Sequence, residues 1–360
     1  MRGRNARRSR RAALLISLTA LAFTVAACAA NAPQDTLKPE GPVARQADNL
    51  FRPVFWIATA IFFGVEFGLI YIIRRFRRRS DDDAPKQIHG NKRLEIIWTI
   101  LPAALLAGIA IPTVLTIFDV SARPVGAGVV HVKVTGHQWW WEYEYTDYKT
   151  PEGVTLKTAN ELVIPTGRWV ELEMTSKDVI HSYWIPKLAG KQDVIPNRIT
   201  HLKMRADKPG TYRGQCAEFC AVSHANMRAR AIAHTPSDFD AWVQNELKPA
   251  PMPTDPMALQ RLTQTCSACH TIRGIVGPDG QPAVTGATAP DLTHLGSRGS
   301  FAGATFALTA GNLFRWIDNP NEMKPLTGTV KENRNQPTMP DYNLSRAEID
   351  AIVAYLMSLK

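Results

Sequence analysis

Four cysteines of this 360-residue chain lie in two short clusters, each able to bind a redox cofactor. The first cluster, from Cys216 to Met227, reads C-A-E-F-C-A-V-S-H-A-N-M and brings two thiols, an imidazole and a thioether within twelve residues. These are soft ligands, which favour copper. The second cluster, from Cys266 to His270, reads C-S-A-C-H, the pattern for covalent attachment of a c-type haem. Two redox centres in one chain predict electron transfer.

The number of cysteines in the first cluster separates its candidate metals. A mononuclear blue-copper site needs one cysteine, whereas two thiolates with His224 and the upstream His181 could bridge and cap two copper ions. Zinc is the alternative, because two cysteines and two histidines also complete a tetrahedral site. The four-residue step between the cysteines and the nearby Met227 favour copper. A disulfide between Cys216 and Cys220 would leave the histidine and methionine without a role.

The second cluster supplies two thioether links, through Cys266 and Cys269, and one axial haem ligand, His270. The alternative is a chance C-x-x-C-H sequence. The export signal at the start of the chain argues against chance, because covalent haem attachment belongs to exported proteins.

The first 30 residues predict export. A basic stretch is followed by an apolar run at 12–25 and by V-A-A-C ending at Cys28, which resembles a lipoprotein signal cleaved before that cysteine. We therefore predict a signal peptide at 1–27 and lipidation of Cys28. An ordinary cleavage site among the small residues 26–30 is the alternative, and S-R-R at 9–11 also resembles part of a twin-arginine signal.

The formal net charge of +10 does not indicate nucleic-acid binding. Six arginines lie in residues 1–12, inside the predicted signal peptide, and five more lie within 74–79, directly after a long apolar run. Arginines in that place follow the positive-inside rule of membrane proteins. No nucleic-acid partner is expected.

Two apolar runs predict a membrane hairpin within residues 28–120. The first run, 54–73, contains one charge, Glu66, for which the sequence offers no role; the second, 96–118, contains two prolines. At about 1.5 Å per residue each run spans a ~30 Å hydrocarbon core. The basic loop 74–93 should face the cytoplasm, which places both termini on the outer side of a bacterial cell membrane.

Residues 121–247 predict a β-domain. Apolar and polar residues alternate from 130 onward and again from 170, with glycine and proline between short strands, a pattern typical of a small antiparallel β-sandwich or Greek-key barrel. Three consecutive tryptophans at 139–141 cannot all face one core if they form a strand, so at least one should point outward. A proline-rich linker at 248–256 should be stiff and extended.

Residues 257–360 predict a small helical domain. Its last helix is the clearest, because Ser345 and Glu348 have the spacing of a capping box and the residues after them are apolar on one face. With P-D-L from 290 and T-M-P around 339, this region resembles class I cytochrome c. That resemblance implies Met339 as the sixth haem ligand, with Met323 as the alternative; a Met/His pair raises the haem potential.

Four longer motifs carry a second resemblance. They are G-H-Q-W-W-W-E-Y-E-Y from 136, H-S-Y-W-I-P from 181, G-T-Y-R-G-Q-C-A-E-F-C from 210 and E-I-I-W-T-I-L-P-A from 95. Over residues 50–235 they resemble subunit II of the haem-copper cytochrome c oxidases. The chain is thus expected to be a multi-domain membrane protein: a two-helix transmembrane hairpin, a cupredoxin-like Greek-key β-barrel with a binuclear CuA centre, and an all-α class I cytochrome c domain, the caa-type arrangement.

This resemblance implies the metal ligands. The expected CuA ligands are His181, Cys216, the backbone carbonyl of Glu218, Cys220, His224 and Met227. The side chain of Glu218 is expected to bind magnesium at the junction with subunit I, which suits a hard carboxylate ligand.

The same resemblance implies two further roles. Trp139 matches the tryptophan through which electrons enter CuA; the alternative is that all three tryptophans serve packing. Glu95 matches a position that opens a proton path into subunit I; the alternative is an interfacial carboxylate neutralised by Lys92 or Arg93.

The predicted function is electron input to a cytochrome c oxidase. An external donor, either a cytochrome c or a bc-type complex, would reduce the haem, which would reduce CuA and then subunit I, where oxygen is reduced to water and protons are pumped. Subunit III is a further expected partner, and no oxygen-reducing site is expected in this chain. The alternatives are a CuA-bearing subunit of a nitric oxide reductase and a membrane-anchored copper or haem carrier. A quinol oxidase subunit would lack the two copper cysteines.

Overall fold

The computed structural model describes residues 14–19, 32–78, 80, 87, 90–326 and 338–360. The predicted lipidation site Cys28 lies outside these residues.

Two long helices form the predicted hairpin. Helix α1 spans Pro42–Arg75 and helix α2 spans Lys92–Ser121, and both are long and apolar enough to cross a membrane. Both exceed their predicted lengths. Helix α1 begins earlier because its first turn packs on the β-domain, where Val43 and Ala44 are buried and Ala44 N donates to Leu188 O at 3.3 Å.

Ten strands form the β-domain. They are β1 Val130–His137, β2 Trp140–Lys149, β3 Thr155–Ala159, β4 Glu161–Pro165, β5 Val170–Ser176, β6 His181–Trp184, β7 Gln192–Val194, β8 Thr200–Met204, β9 Gly210–Cys216 and β10 Arg228–His234. One sheet has the order β3-β2-β1-β5-β8 and the other has the order β4-β10-β9-β6-β7. The sheets enclose one core, which confirms the cupredoxin-like sandwich. Two pairs, β1 with β5 and β4 with β10, are parallel, whereas the sequence predicted an antiparallel domain.

All three consecutive tryptophans are buried, although Trp140 points away from the core of the sandwich, as was expected of at least one of them. Trp139 precedes β2, and Trp141 is fully buried in the core. Trp140 points to the opposite face, as strand alternation requires. There its ring stacks on His137, with centroids 4.1 Å apart, and it is 9% exposed because the C-terminal domain covers this face.

A short helix and then the C-terminal domain follow the sandwich. Helix α3 spans Pro236–Glu246, and the later elements are α4 Pro256–Gln264, β11 Ser300–Phe301, β12 Phe306–Ala307, α5 Ala310–Asp318, α6 Pro320–Met323 and α7 Arg346–Ser358. The capping box of Ser345 and Glu348 is present, as predicted. Arg261 of α4 forms an ion pair with Glu348, which ties the first helix of the domain to the last.

The proline-rich segment 248–256 is packed along the C-terminal domain. Ala250 is buried in the core of that domain, and its backbone N donates to Arg273 O at 2.7 Å. The hydroxyl of Tyr355 donates to Pro251 O at 2.8 Å. The part of this segment around 250 therefore does not act as a free spacer.

Candidate copper centre and haem pocket

Strand pairing builds the predicted copper centre. His181 begins β6 and Cys216 ends β9, and these strands are antiparallel neighbours with Tyr183 opposite Cys216. The chain after β9 turns back into β10, and this loop carries Cys220, His224 and Met227. Residues far apart in sequence thus meet at one end of the sandwich.

The side chains of this centre converge. Cys216 Sγ lies 3.8 Å from Cys220 Sγ and 3.9 Å from His181 Nδ1, and the three ligand atoms lie within 4.8 Å of one another. Cys220 Sγ lies 3.7 Å from His224 Nδ1 and 3.9 Å from Met227 Sδ. Since a disulfide needs sulfurs about 2.05 Å apart, both cysteines are free thiols.

The interaction between the two thiols shifts their pKa values in opposite directions. The hydrogen bond from Cys220 lowers the pKa of Cys216 to about 3, although burial opposes the change. The same interaction raises the pKa of Cys220 well above its ordinary value, and burial adds to the effect. Cys216 therefore ionises more readily than Cys220. Two thiolates, imidazole and thioether fit copper.

Asp178 orients His181, a role that the sequence analysis missed. Its Oδ1 lies 2.8 Å from His181 Nε2, which leaves Nδ1 facing Cys216. Burial would raise the pKa of Asp178, but hydrogen bonds from His181, Val179 N and Gln138 N lower it. Burial would likewise lower the pKa of His181, and its bonds to Asp178 and Cys216 raise it. Such carboxylate–histidine pairs are common around protein metals, and the D-x-x-H spacing was the available signal.

Trp139 touches the copper loop. Its indole Nε1 donates to Cys220 O at 2.7 Å, and the side chain of Gln138 donates to the same carbonyl at 3.1 Å. Trp139 is 2% exposed. The indole is thus fixed against the backbone of a predicted copper ligand.

The second predicted centre is a largely apolar cavity of the C-terminal domain. Its lining includes Cys266, Cys269, His270 and Met339, together with Trp139 and Trp140 of the β-domain. The other methionine considered, Met323, is not among the lining residues. The cavity therefore joins the haem-attachment residues to the tryptophans.

His270 is prepared to bind a metal through one nitrogen. Its Nδ1 lies 2.7 Å from Pro290 O, an arrangement in which the nitrogen donates to the carbonyl and Nε2 carries no proton. Burial lowers the pKa of His270, against the effect of this bond. A neutral imidazole beside two free thiols in an apolar cavity fits a covalent haem.

Of the two remaining predicted site residues, Glu218 lies in the loop of the copper centre, whereas Glu95 lies in the membrane hairpin, apart from both centres. Glu218 has an exposed side chain beside Phe219, which is 75% exposed, while its carbonyl O lies 3.2 Å from Cys216 Sγ. Glu95 lies in the first turn of α2, where it accepts a hydrogen bond from Asn91 N at 3.3 Å. The carbonyl of Glu218 is thus turned to the copper centre and its carboxylate to the surface.

Known sequences match all three parts of the chain. The family "Cytochrome C oxidase subunit II, transmembrane domain" matches residues 34–116, its periplasmic-domain counterpart matches 130–233, and "Cytochrome c" matches 259–360. The curated relatives include proteins named cytochrome c oxidase subunit 2. That of Alkalihalophilus pseudofirmus is 35% identical over 97% of both chains. That of Bacillus sp. strain PS3 is 34% identical over 90% of this chain and 91% of the relative. That of Bacillus subtilis is 31% identical over the same shares.

Proposed function

Because this chain belongs to the cytochrome c oxidase subunit II family and carries a C-terminal cytochrome c domain, we propose that it is the subunit through which electrons enter a caa-type oxidase. It is a membrane protein with two spans and forms part of an oxidoreductase complex with subunit I. When bound, haem c and CuA would pass electrons from an external cytochrome c or bc-type donor to subunit I, where oxygen is reduced to water and protons are pumped.

One observation carries the proposal. The cavity with the haem-attachment residues is lined by Trp139, and the indole of Trp139 donates to the carbonyl of Cys220. A single side chain thus lies between the two centres. A carrier with one cofactor would have no use for this contact, whereas an electron path between two cofactors would.

In this proposal the copper ligands are His181, Cys216, the carbonyl of Glu218, Cys220, His224 and Met227. The short distances among their side chains support this set. Asp178 holds His181 so that Nδ1 faces the thiols. The exposed carboxylate of Glu218 is positioned to bind magnesium together with a partner subunit.

Cys266 and Cys269 would form the thioether bonds of the haem, and His270 and Met339 would be its axial ligands. The hydrogen bond between His270 Nδ1 and Pro290 O supports this assignment, because it leaves the other ring nitrogen to face the cavity. The largely apolar lining would place few polar groups around the haem, which raises the haem potential.

The remaining assignments concern the membrane. We propose that both termini lie on the extracytoplasmic side, that Cys28 anchors the mature chain through lipid, and that Glu95 opens the proton path into subunit I. Subunit III is a further proposed partner. The basic residues after α1 support this orientation.

The test is paramagnetic resonance with copper and haem counts on the intact purified oxidase. We expect about two copper ions and one covalent haem in this chain, with a hyperfine pattern of one electron shared between two copper nuclei. A single-copper pattern, or zinc, would contradict the proposal. Rapid consumption of nitric oxide but not of oxygen would instead favour a nitric oxide reductase.

A further inference from the structure

One turn of the C-terminal domain forms backbone hydrogen bonds with the β-domain. We call residues 299–305, which include β11, the docking hairpin. Its Thr305 donates through Oγ1 to Asn226 O at 2.7 Å, and its Gly303 O accepts from Arg228 N at 2.8 Å. Both partners belong to the loop and strand that follow the copper cysteines. The docking hairpin is therefore hydrogen-bonded to the backbone of the copper loop.

Lys324 crosses the same boundary. Its side chain is 2% exposed, and its Nζ donates to Trp139 O at 2.7 Å and to Ala302 O at 3.0 Å. Burial lowers the pKa of this amine to about 7. Burying a lysine is costly unless its amine forms hydrogen bonds. One of these bonds is to the β-domain and exists only while the two domains are in contact.

Glu161 also forms hydrogen bonds across the boundary. Here the ionisable side chain belongs to the β-domain and its partners belong to the C-terminal domain. Glu161 begins β4, is 6% exposed, and accepts from Gly299 N at 3.1 Å and from the fully buried hydroxyl of Ser300. Arg230 Nη1 lies 3.8 Å from the same carboxylate. Each domain thus contributes one buried ionisable side chain that binds backbone or hydroxyl groups of the other.

Gly303 allows this close approach. It has a φ of +76°, and a Cβ placed there would lie 2.6 Å from Trp139 O and 2.8 Å from Asn226 O. Both atoms are backbone atoms of the β-domain and cannot move away as a side chain end can. No other residue fits here without separating the domains.

Apolar contacts close the rest of the boundary. Leu326 of the C-terminal domain is 7% exposed and belongs to the core cluster of the β-domain. Trp316 and Met339 pack against the cores of both domains. The boundary therefore combines apolar packing with buried polar bonds, as in stable interfaces.

We propose that Lys324, Glu161 and Gly303 are positioning residues that hold the cytochrome domain in one fixed orientation on the copper domain. The haem pocket then stays against Trp139 and Trp140 and does not swing on the segment 248–256. An external donor cannot dock on Trp139, which is covered, and must dock on the cytochrome domain. The consequence for electron transfer rests on the proposed function, whereas the docking can be measured without it.

The first test cuts the chain between the domains. A protease site inserted between Pro253 and Thr254, near exposed residues, would be cleaved in the intact oxidase. We expect the cytochrome fragment to remain with the oxidase in size-exclusion chromatography. Its release from the protein that carries the inserted site and no other change would overturn the proposal.

A matched pair of glycine variants shows what retains the fragment, since contacts of Ala250 and Pro251 also hold it. Gly303→Ala should release the cleaved fragment. Gly311→Ala, in helix α5 of the same domain, adds a methyl group with nothing within 4 Å and should retain it. Equal retention by both variants would overturn the role of the docking hairpin.

Electron-transfer kinetics supply the second test. In Lys324→Met we expect at least a tenfold slower electron transfer from haem to copper after rapid reduction, with the haem and copper spectra unchanged. Reduction of the haem by the external donor should keep its rate. An unchanged haem-to-copper rate would overturn the role of Lys324. A missing two-copper signal would instead contradict the proposed function, and the fragment-retention result would stand independently of it.

Discussion

The copper centre and the haem pocket depend on the fold in different ways. At the copper centre, buried ligand atoms of His181, Cys216 and Cys220 already lie within 4.8 Å of one another, because pairing of β6 with β9 brings them together. At the haem pocket, the walls are apolar side chains from α4, α5 and α7 around a cavity. The fold therefore forms the copper site in advance, whereas the haem would complete the core of its own domain.

Removing the haem should have the largest structural effect. In Cys266→Ala with Cys269→Ala, covalent attachment is lost and the apolar cavity is left without its content. We expect amide exchange in α4 and α7 to accelerate by at least about tenfold, while amides of β1 and β5 keep their rates. Hydrogen-exchange mass spectrometry of the full chain measures both. Unchanged protection of the α7 amides would contradict the conclusion that the haem completes the core of its domain.

Removing a copper ligand should abolish the metal site and leave the β-domain folded. Cys216→Ser breaks the thiolate pair, so the two-copper resonance signal should disappear. Because the strands pair without metal, the free energy of unfolding of the copper-free domain should change by no more than about 2 kcal/mol. Chemical denaturation measures this change. Unfolding of the domain in this variant would show that copper, and not strand pairing, forms the site.

Weakening the support of one ligand should have an intermediate effect. Asp178→Asn keeps the shape of the side chain but removes the charge that orients His181. Loss of such a partner typically lowers metal affinity by about 10- to 100-fold. Copper titration with a competing chelator measures the change, and Asp193→Asn on the neighbouring β7 is the control. Equal affinities for both variants would contradict the role of Asp178.

The same carboxylate predicts a pH dependence of the copper-free protein. Since hydrogen bonds lower the pKa of Asp178 in the folded state, its ionised form stabilises the fold above its ordinary pKa. This stabilisation is lost as the pH falls through the lowered folded-state pKa. The difference in denaturation midpoint between wild type and Asp178→Asn should therefore shrink as the pH is lowered from about 6 to about 3. A difference that grows with acidity would contradict this.

The smallest effect should come from the surface of the haem domain. Hydrogen bonds from the Ser345 hydroxyl and backbone N and from Arg261 lower the pKa of Glu348 to about 2. Its contribution to stability is present above its ordinary pKa and disappears as the pH falls towards 2. Glu348→Gln should slightly lower the thermal midpoint followed by haem absorbance at neutral pH. The exposed Glu322→Gln is the control.

Local patterns predicted much of the fold. Some features depend only on residues that are near one another in sequence, and these could be predicted. They are the capping box at Ser345, the apolar runs of α1 and α2, and the alternation of apolar and polar residues in β1 and β5. The copper ligands after Cys216 were equally visible, because one loop holds four of them.

The contacts between domains could not be predicted. Strand alternation sets the face on which Trp140 lies, but only packing of the cytochrome domain buries it there. Lys324 and Glu161 look like ordinary surface charges in the sequence, and only the docking of two domains buries them. Periodicity cannot report such burial, because it describes one element at a time.

The most direct test of the account measures electron transfer from haem to copper in intact oxidase carrying Trp139→Phe. The variant removes the indole that donates to Cys220 O. Trp169→Phe is the control. Trp169 directly precedes β5, and its ring lies beside the side chains of Lys203 and Arg205. We predict at least a tenfold slower transfer in Trp139→Phe alone, with both metal spectra retained. Equal rates in the two variants would contradict a path through Trp139.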